Sequence, residues 1–153
     1  MDLVAGERRA ILAAIKAEDW AAFDDRNRFA AHLTLGGELD PTWLDLFSAA
    51  VRSVTDRSEP QDFLDARTEI DDPDLSTDRT VERVDAGWIT AIARILDGDV
   101  GPVAARWIDL VEEETGQLPR EEKPQMRRLA GDVVEFARRA DRAPVVISAW
   151  TLG

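Results

Sequence analysis

The sequence predicts a mainly helical α+β fold: a single domain of about five or six helices with a small sheet that includes the C-terminal strand. Apolar residues recur at intervals of three and four along most of the chain, which is the helical period. One late stretch, VVISAW at 145–150, is instead rich in β-branched residues and follows Pro144. There is no cysteine, so packing alone must hold the fold, and disulfides, thiolate zinc sites and cysteine nucleophiles are all removed.

In chain order, residues up to about His32 suit one long helix or two short ones, with Ile11, Leu12, Ile15, Trp20, Phe23 and Phe29 as the apolar positions. HLTL (32–35), ahead of Gly36 and Gly37, is a weak strand signal. In PTWLDLFSAAVRSV (41–54), Leu44, Phe47, Val51 and Val54 share one face; Asp40 supplies an N-cap and Pro41 suits the first helical position. The segment 55–80 reads as a long acidic connection inside one globular domain covering 1–153. RTVERV (79–84) is a second weak strand signal.

DAGWITAIARIL (85–96) places Trp88, Ile92 and Ile95 on one face behind an Asp85 cap. The glycine-bearing DGDVGP (97–102) is expected as a turn, with the next helix beginning near Pro102. Val103, Trp107, Leu110 and Val111 form the inner stripe of that helix, and Gly116 stands where a helix end needs a left-handed residue. Residues 120–142 read as the longest C-terminal helix, with Met126, Leu129, Val133, Phe136 and Ala137 inward and Pro124 in its first turn or marking a restart.

The chain of 153 residues is 44 % apolar and 33 % charged, a composition that supports a real core and argues against wholesale disorder. Its 31 acids against 19 bases give a formal charge of −12, which repels phosphate backbones and anionic lipid at long range. Direct nucleic-acid and membrane binding are therefore not expected, and no apolar run approaches the ~18 residues of a membrane span. A cytoplasmic location is expected. The charge is uneven: residues 1–80 hold 18 acids and 9 bases, the remainder 13 and 10.

The densest acid is EIDDPDLSTD (69–78), where Glu69, Asp71, Asp72, Asp74 and Asp78 stand without a Lys or Arg. A calcium loop sets acids at alternate positions, then a glycine and a distant bidentate Glu. Here the glycine is missing and Pro73 splays the neighbouring carboxylates, so the stretch reads as a solvated loop or a contact surface for a basic partner, and no metal is assigned. Asp97 and Asp99 in DGDVGP lack a third ligand and read as turn and cap residues. The lone His32, near the end of an apolar stretch, reads as a packing residue or a cation at a helix end. No phosphate-cradling glycine loop, dinucleotide fingerprint or nucleophile elbow is present, and no cofactor is expected.

The five tryptophans read as core residues, except that Trp43, one step off the Leu44, Phe47, Val51 stripe, is a candidate interface anchor. The expected function is a non-enzymatic, acidic protein-binding module of immunity, antitoxin or inhibitor type. It would dock a basic protein through Trp43 with Asp71, Asp72 and Asp74 at the rim. Two alternatives stay open: a carboxylate-based enzyme using a divalent ion near Asp71, Asp72 and Asp74, and a structural or homo-oligomeric protein.

Overall fold

The computed structural model describes residues 1–36, 41–76 and 78–150. These form, in order, β1 (Asp2–Gly6), α1 (Arg8–Lys16), a 3-10 turn (Trp20–Asp24), β2 (Ala31–Thr34), α2 (Pro41–Thr55) and a second 3-10 turn (Phe63–Ala66). β3 (Arg67–Glu69), β4 (Thr80–Val84), α3 (Ala86–Ala93), α4 (Asp97–Thr115), α5 (Lys123–Ala140) and β5 (Val145–Trp150) follow. The α+β class and the C-terminal strand hold, but the sheet is larger than expected: five antiparallel strands in the order β2-β1-β5-β4-β3.

The N-terminal third is the main correction. Residues 2–6 and 31–34 are strands, and only 8–16 is α-helical. The helix is amphipathic, burying Ile11, Leu12, Ala14 and Ile15, while the preceding DLVAG is covered on both sides and takes the extended form that a sheet interior requires. HLTL and RTVERV both contribute strands, β2 and β4. The segment 55–80 contains the second 3-10 turn and the edge strand β3. Asp40 and Gly37 lie outside the described residues.

Strand alternation sends side chains to two cores. On one face Leu3, Ala5, Ala31, Val84 and Val146 meet α2 to α5 through Leu44, Phe47, Trp88, Ile92, Val103, Trp107 and Val133. On the other face Val4, Val81, Ile147 and Ala149 meet Ile11, Leu12 and Ile15 of α1 with Phe23 and Phe29. Helices, sheet and the smaller α1 layer thus stack in three tiers.

Two fully buried tryptophans keep their indole N–H groups paired, as a buried Trp requires. Trp88 Nε1 donates to Ser48 Oγ at 2.9 Å, and Ser48 in turn donates to the Leu44 carbonyl. Trp107 Nε1 donates to the Trp43 carbonyl at 2.8 Å and sets its ring edge against Phe47. These bonds fix α3 and α4 on α2.

DGDVGP is not a turn. α4 begins at Asp97, and Pro102 lies inside it. Asp97 and Asp99 in the first turn complement the helix dipole, and Arg138 of α5 clamps the start by donating to Asp97 Oδ1 and to the Ile95 carbonyl. At the other end Gly116 takes φ 92°, and Glu112 Oε2 accepts the Leu118 N–H. α4 has 19 residues and α5, which occupies most of 120–142, has 18.

Ser148 is fully buried on the helical face of β5 and its Oγ has no hydrogen-bond partner. An unpaired buried hydroxyl costs about 1–3 kcal/mol. Ser148→Ala is therefore expected to leave the melting temperature unchanged or raise it. Ile147→Ala, one residue away on the opposite face, should lower stability by ~2–5 kcal/mol in denaturant titration.

Candidate functional site: the acidic edge of the sheet

β3 is an outer strand of the sheet, and its pairing runs one residue beyond it, with the Ile70 N–H donating to the Val81 carbonyl at 3.0 Å. Ile70 and Leu75 are drawn toward the α1 core, so the chain between them loops outward. Asp72 organises that loop. Its Oδ1 accepts the Asp74 N–H at 3.0 Å, and its Oδ2 is ion-paired with Lys16 Nζ, at the end of α1, at 2.7 Å. The Lys16 ammonium, helped by the Asp74 amide, holds the Asp72 carboxyl below its ordinary range. Arg79, on the far side, lies over the Trp20 ring at 4.4 Å.

Glu69, Asp71, Asp74 and Asp78 are exposed, and among the described residues no ion pair engages them. Of the three aspartates expected to act together, Asp71 and Asp74 face solvent while Asp72 is an internal anchor.

The structure does not bring Trp43 to this loop. Trp43 is partly buried in the first turn of α2 and belongs to the helical face, whereas Asp72 is tied to α1 on the opposite face. Its ring packs on the core, and its carbonyl receives Trp107. The exposed apolar side chain that does adjoin the edge strand is Leu64, 44 % exposed in the 3-10 turn leading into β3. Asp45 of α2 accepts the Leu64 N–H at 2.7 Å; burial raises the Asp45 carboxyl above its ordinary value despite that bond.

Beneath the edge, on the helical face, Arg67 of β3 is partly buried. Its Nη1 donates to Glu82 Oε1 at 2.7 Å, and its guanidinium lies 5.3 Å from the Phe63 ring centre. Glu82 Oε1 also accepts Trp150 Nε1 at 3.0 Å, and Arg67 Nε is left without a partner. This partly buried pair turns the one cation of β3 inward, so the outward charge of the strand is negative.

His32 is the second polar cluster, and it lies on β2, not at a helix end. Nδ1 is 2.8 Å from Asp24 Oδ1 and Nε2 is 2.9 Å from Asp2 Oδ1, while the ring packs on Phe23. The hydrogen bond with Asp2 raises the His32 pKa; burial opposes it and Asp24 reinforces it. Burial alone would raise Asp2, but the bonds from His32 and Thr34 outweigh it and hold that carboxyl below 3.8. Thr34 Oγ1, 3.3 Å from His32 Nε2, completes the spacing of a hydroxyl, imidazole and carboxylate relay. Asp2 blocks it: its Oδ1 accepts the Thr34 hydroxyl, so that proton is directed to the carboxylate and not to the imidazole. The cluster is a clasp joining β1, β2 and the first 3-10 turn.

Comparison of the chain with protein-family models, with curated proteins and with solved structures finds no match. The site is therefore read from its own geometry. Among the described residues no three His, Asp or Glu side chains are grouped to hold a metal ion, and no helix is long and apolar enough to cross a membrane. On α5, Arg138 pairs with Asp97 and Arg139 with Glu135. Arg127 instead lines a cleft of about 540 Å³ with Arg120, Lys123 and Gln117, in which Lys123 leans on Glu112 at 3.4 Å.

The clasp has a pH signature. The folded His32 pKa lies above 6.5, so its stabilisation is full below that value and is lost as pH rises through the folded pKa. The folded Asp2 pKa lies below 3.8, so its share is present above that value and is lost as pH falls through the folded pKa. The melting-temperature gap between the native chain and His32→Gln should be widest near about pH 5 to 6 and narrow toward about pH 9. A gap that stays constant over that range would count against the clasp.

Proposed function

We propose that the chain is a non-enzymatic, cytoplasmic protein-binding module of immunity, antitoxin or inhibitor type, and that it docks a basic protein at the acidic edge formed by β3 and the loop after it. One observation carries this reading. Glu69, Asp71, Asp74 and Asp78, in β3 and the loop after it, are each exposed and form no ion pair with a described cation, in a chain of net charge −12. Unpaired carboxylates at a surface are stabilised by water alone, and a cationic partner supplies what the chain does not. The net field steers such a partner in, and the rim carboxylates set the association rate and its salt dependence. Leu64, at the entry to β3, takes the place first given to Trp43 as the apolar neighbour of that rim.

The test neutralises the unpaired acids and spares Asp72, whose ion pair with Lys16 holds the loop in shape. The tagged chain and an Asp71→Asn, Asp74→Asn, Asp78→Asn variant are used to capture partners from native lysate at low and high salt. A basic protein recovered in near-stoichiometric amount at low salt, lost from the variant and associating at least about tenfold faster with the native chain, is the expected result. The variant should melt within a degree or two of the native protein, as exposed substitutions do. Equal capture by both forms would overturn the reading.

A further inference from the structure

The main chain of β3 carries information that its charges do not. Ile70 donates to Val81 and Asp85 donates to the Ala66 carbonyl, so the pairs that exchange hydrogen bonds with β4 are 66 with 85, 68 with 83 and 70 with 81. The intervening Arg67 and Glu69 therefore direct their N–H and C=O groups away from the sheet, where the strand order places no further strand. Thr68 and Glu69 are exposed, and β3 contains neither proline nor lysine, two of the devices that usually blunt an edge. The opposite edge differs, because α5 packs against β2.

Charge decides what such an edge can accept. Its only cation, Arg67, is drawn inward to Glu82, while Asp65, Glu69 and Asp71 lie exposed along it. Two copies paired through β3 would bring these carboxylates together, and like charges across a strand pair repel. A strand bearing Lys or Arg meets the opposite situation.

Resting on the acidic-docking reading above, we infer that the docked part of the partner is an extended basic segment that adds to β3 as a sixth strand. Main-chain bonds to Arg67 and Glu69 supply the register, and cationic side chains meet Glu69, Asp65 and Asp71.

The test separates main chain from charge at one position. Glu69→Gln removes the carboxylate and keeps the outward N–H. Glu69→Pro removes both, and it leaves the β3–β4 ladder intact because the Glu69 N–H takes no part in it. The probe is a ten-residue peptide alternating Lys and Thr, titrated at low salt by calorimetry, with amide hydrogen exchange followed by NMR. Expected are peptide binding, at least tenfold slower exchange at the Arg67 and Glu69 amides, and a further weakening of about tenfold from the Gln to the Pro variant, the worth of one lost hydrogen bond. Retained protection at Thr68 and Ile70 shows that the Pro variant is folded. If it does not fold, a peptide N-methylated at the residues facing β3 makes the same comparison from the other side.

Equal binding by the two variants with unchanged exchange would overturn strand addition and leave charge-driven docking standing. Absence of any peptide binding would also overturn it. A β3-dependent dimer in light scattering, abolished by Glu69→Pro, would replace the basic segment with a second copy. Failure of the wider reading shows itself elsewhere, in lysate capture that ignores the neutralised loop.

Discussion

The sheet depends on β5 lying between β1 and β4. Without that strand, β1 and β2 form one hairpin-like pair and β3 and β4 another, with nothing joining them. β5 is also the strand on which both cores converge: Val146 faces the four-helix layer, and Ile147 with Ala149 faces α1. A two-stranded ribbon is marginal in water, whereas a five-stranded sheet covered on both faces is not. The tryptophan hydrogen bonds to Ser48 and to the Trp43 carbonyl then align helices over a sheet that β5 has already made continuous.

The helices were the legible part of the sequence, because α2, α3 and α5 each repeat apolar residues at the helical period with capping or proline signals beside them. VVISAW was legible as a strand through its β-branched residues, but its central place was not, since nothing local encodes which strands flank it. DLVAG is short and runs straight into the helical pattern of α1, so nothing in its spacing marks it as a separate strand. β3 holds no apolar residue at all; its strand character comes from pairing with β4. In DGDVGP the glycines and proline favour a turn, whereas Arg138, 41 residues away from Asp97, and two dipole-matched aspartates start the helix there.

At the site, local charge density marks 69–78 as acidic without showing which of its carboxylates are paired. Asp71 and Asp74 are exposed as their setting suggested, but Asp72 is committed to Lys16, a pairing across more than fifty residues that no window could reveal. Trp43 shares an interior with Trp107, so its offset from the apolar stripe of α2 reflected a partly covered core position. His32 was isolated in sequence from both of its carboxylates; Asp2 and Asp24 come to it only when β1 pairs with β2.

The late position of β5 in the chain also shapes how the protein is made. β1 and β4 leave the ribosome before it, and at about 5–20 residues per second the span from Val84 to Trp150 takes about 3–13 seconds to synthesise. Throughout that interval β1 and β4 lack the strand that pairs with both of them, and unpaired strand main chain is prone to wrong association. The acids concentrated before residue 80 have by then already emerged with those strands. With 18 acids against 9 bases, that first half repels a like-charged copy at long range.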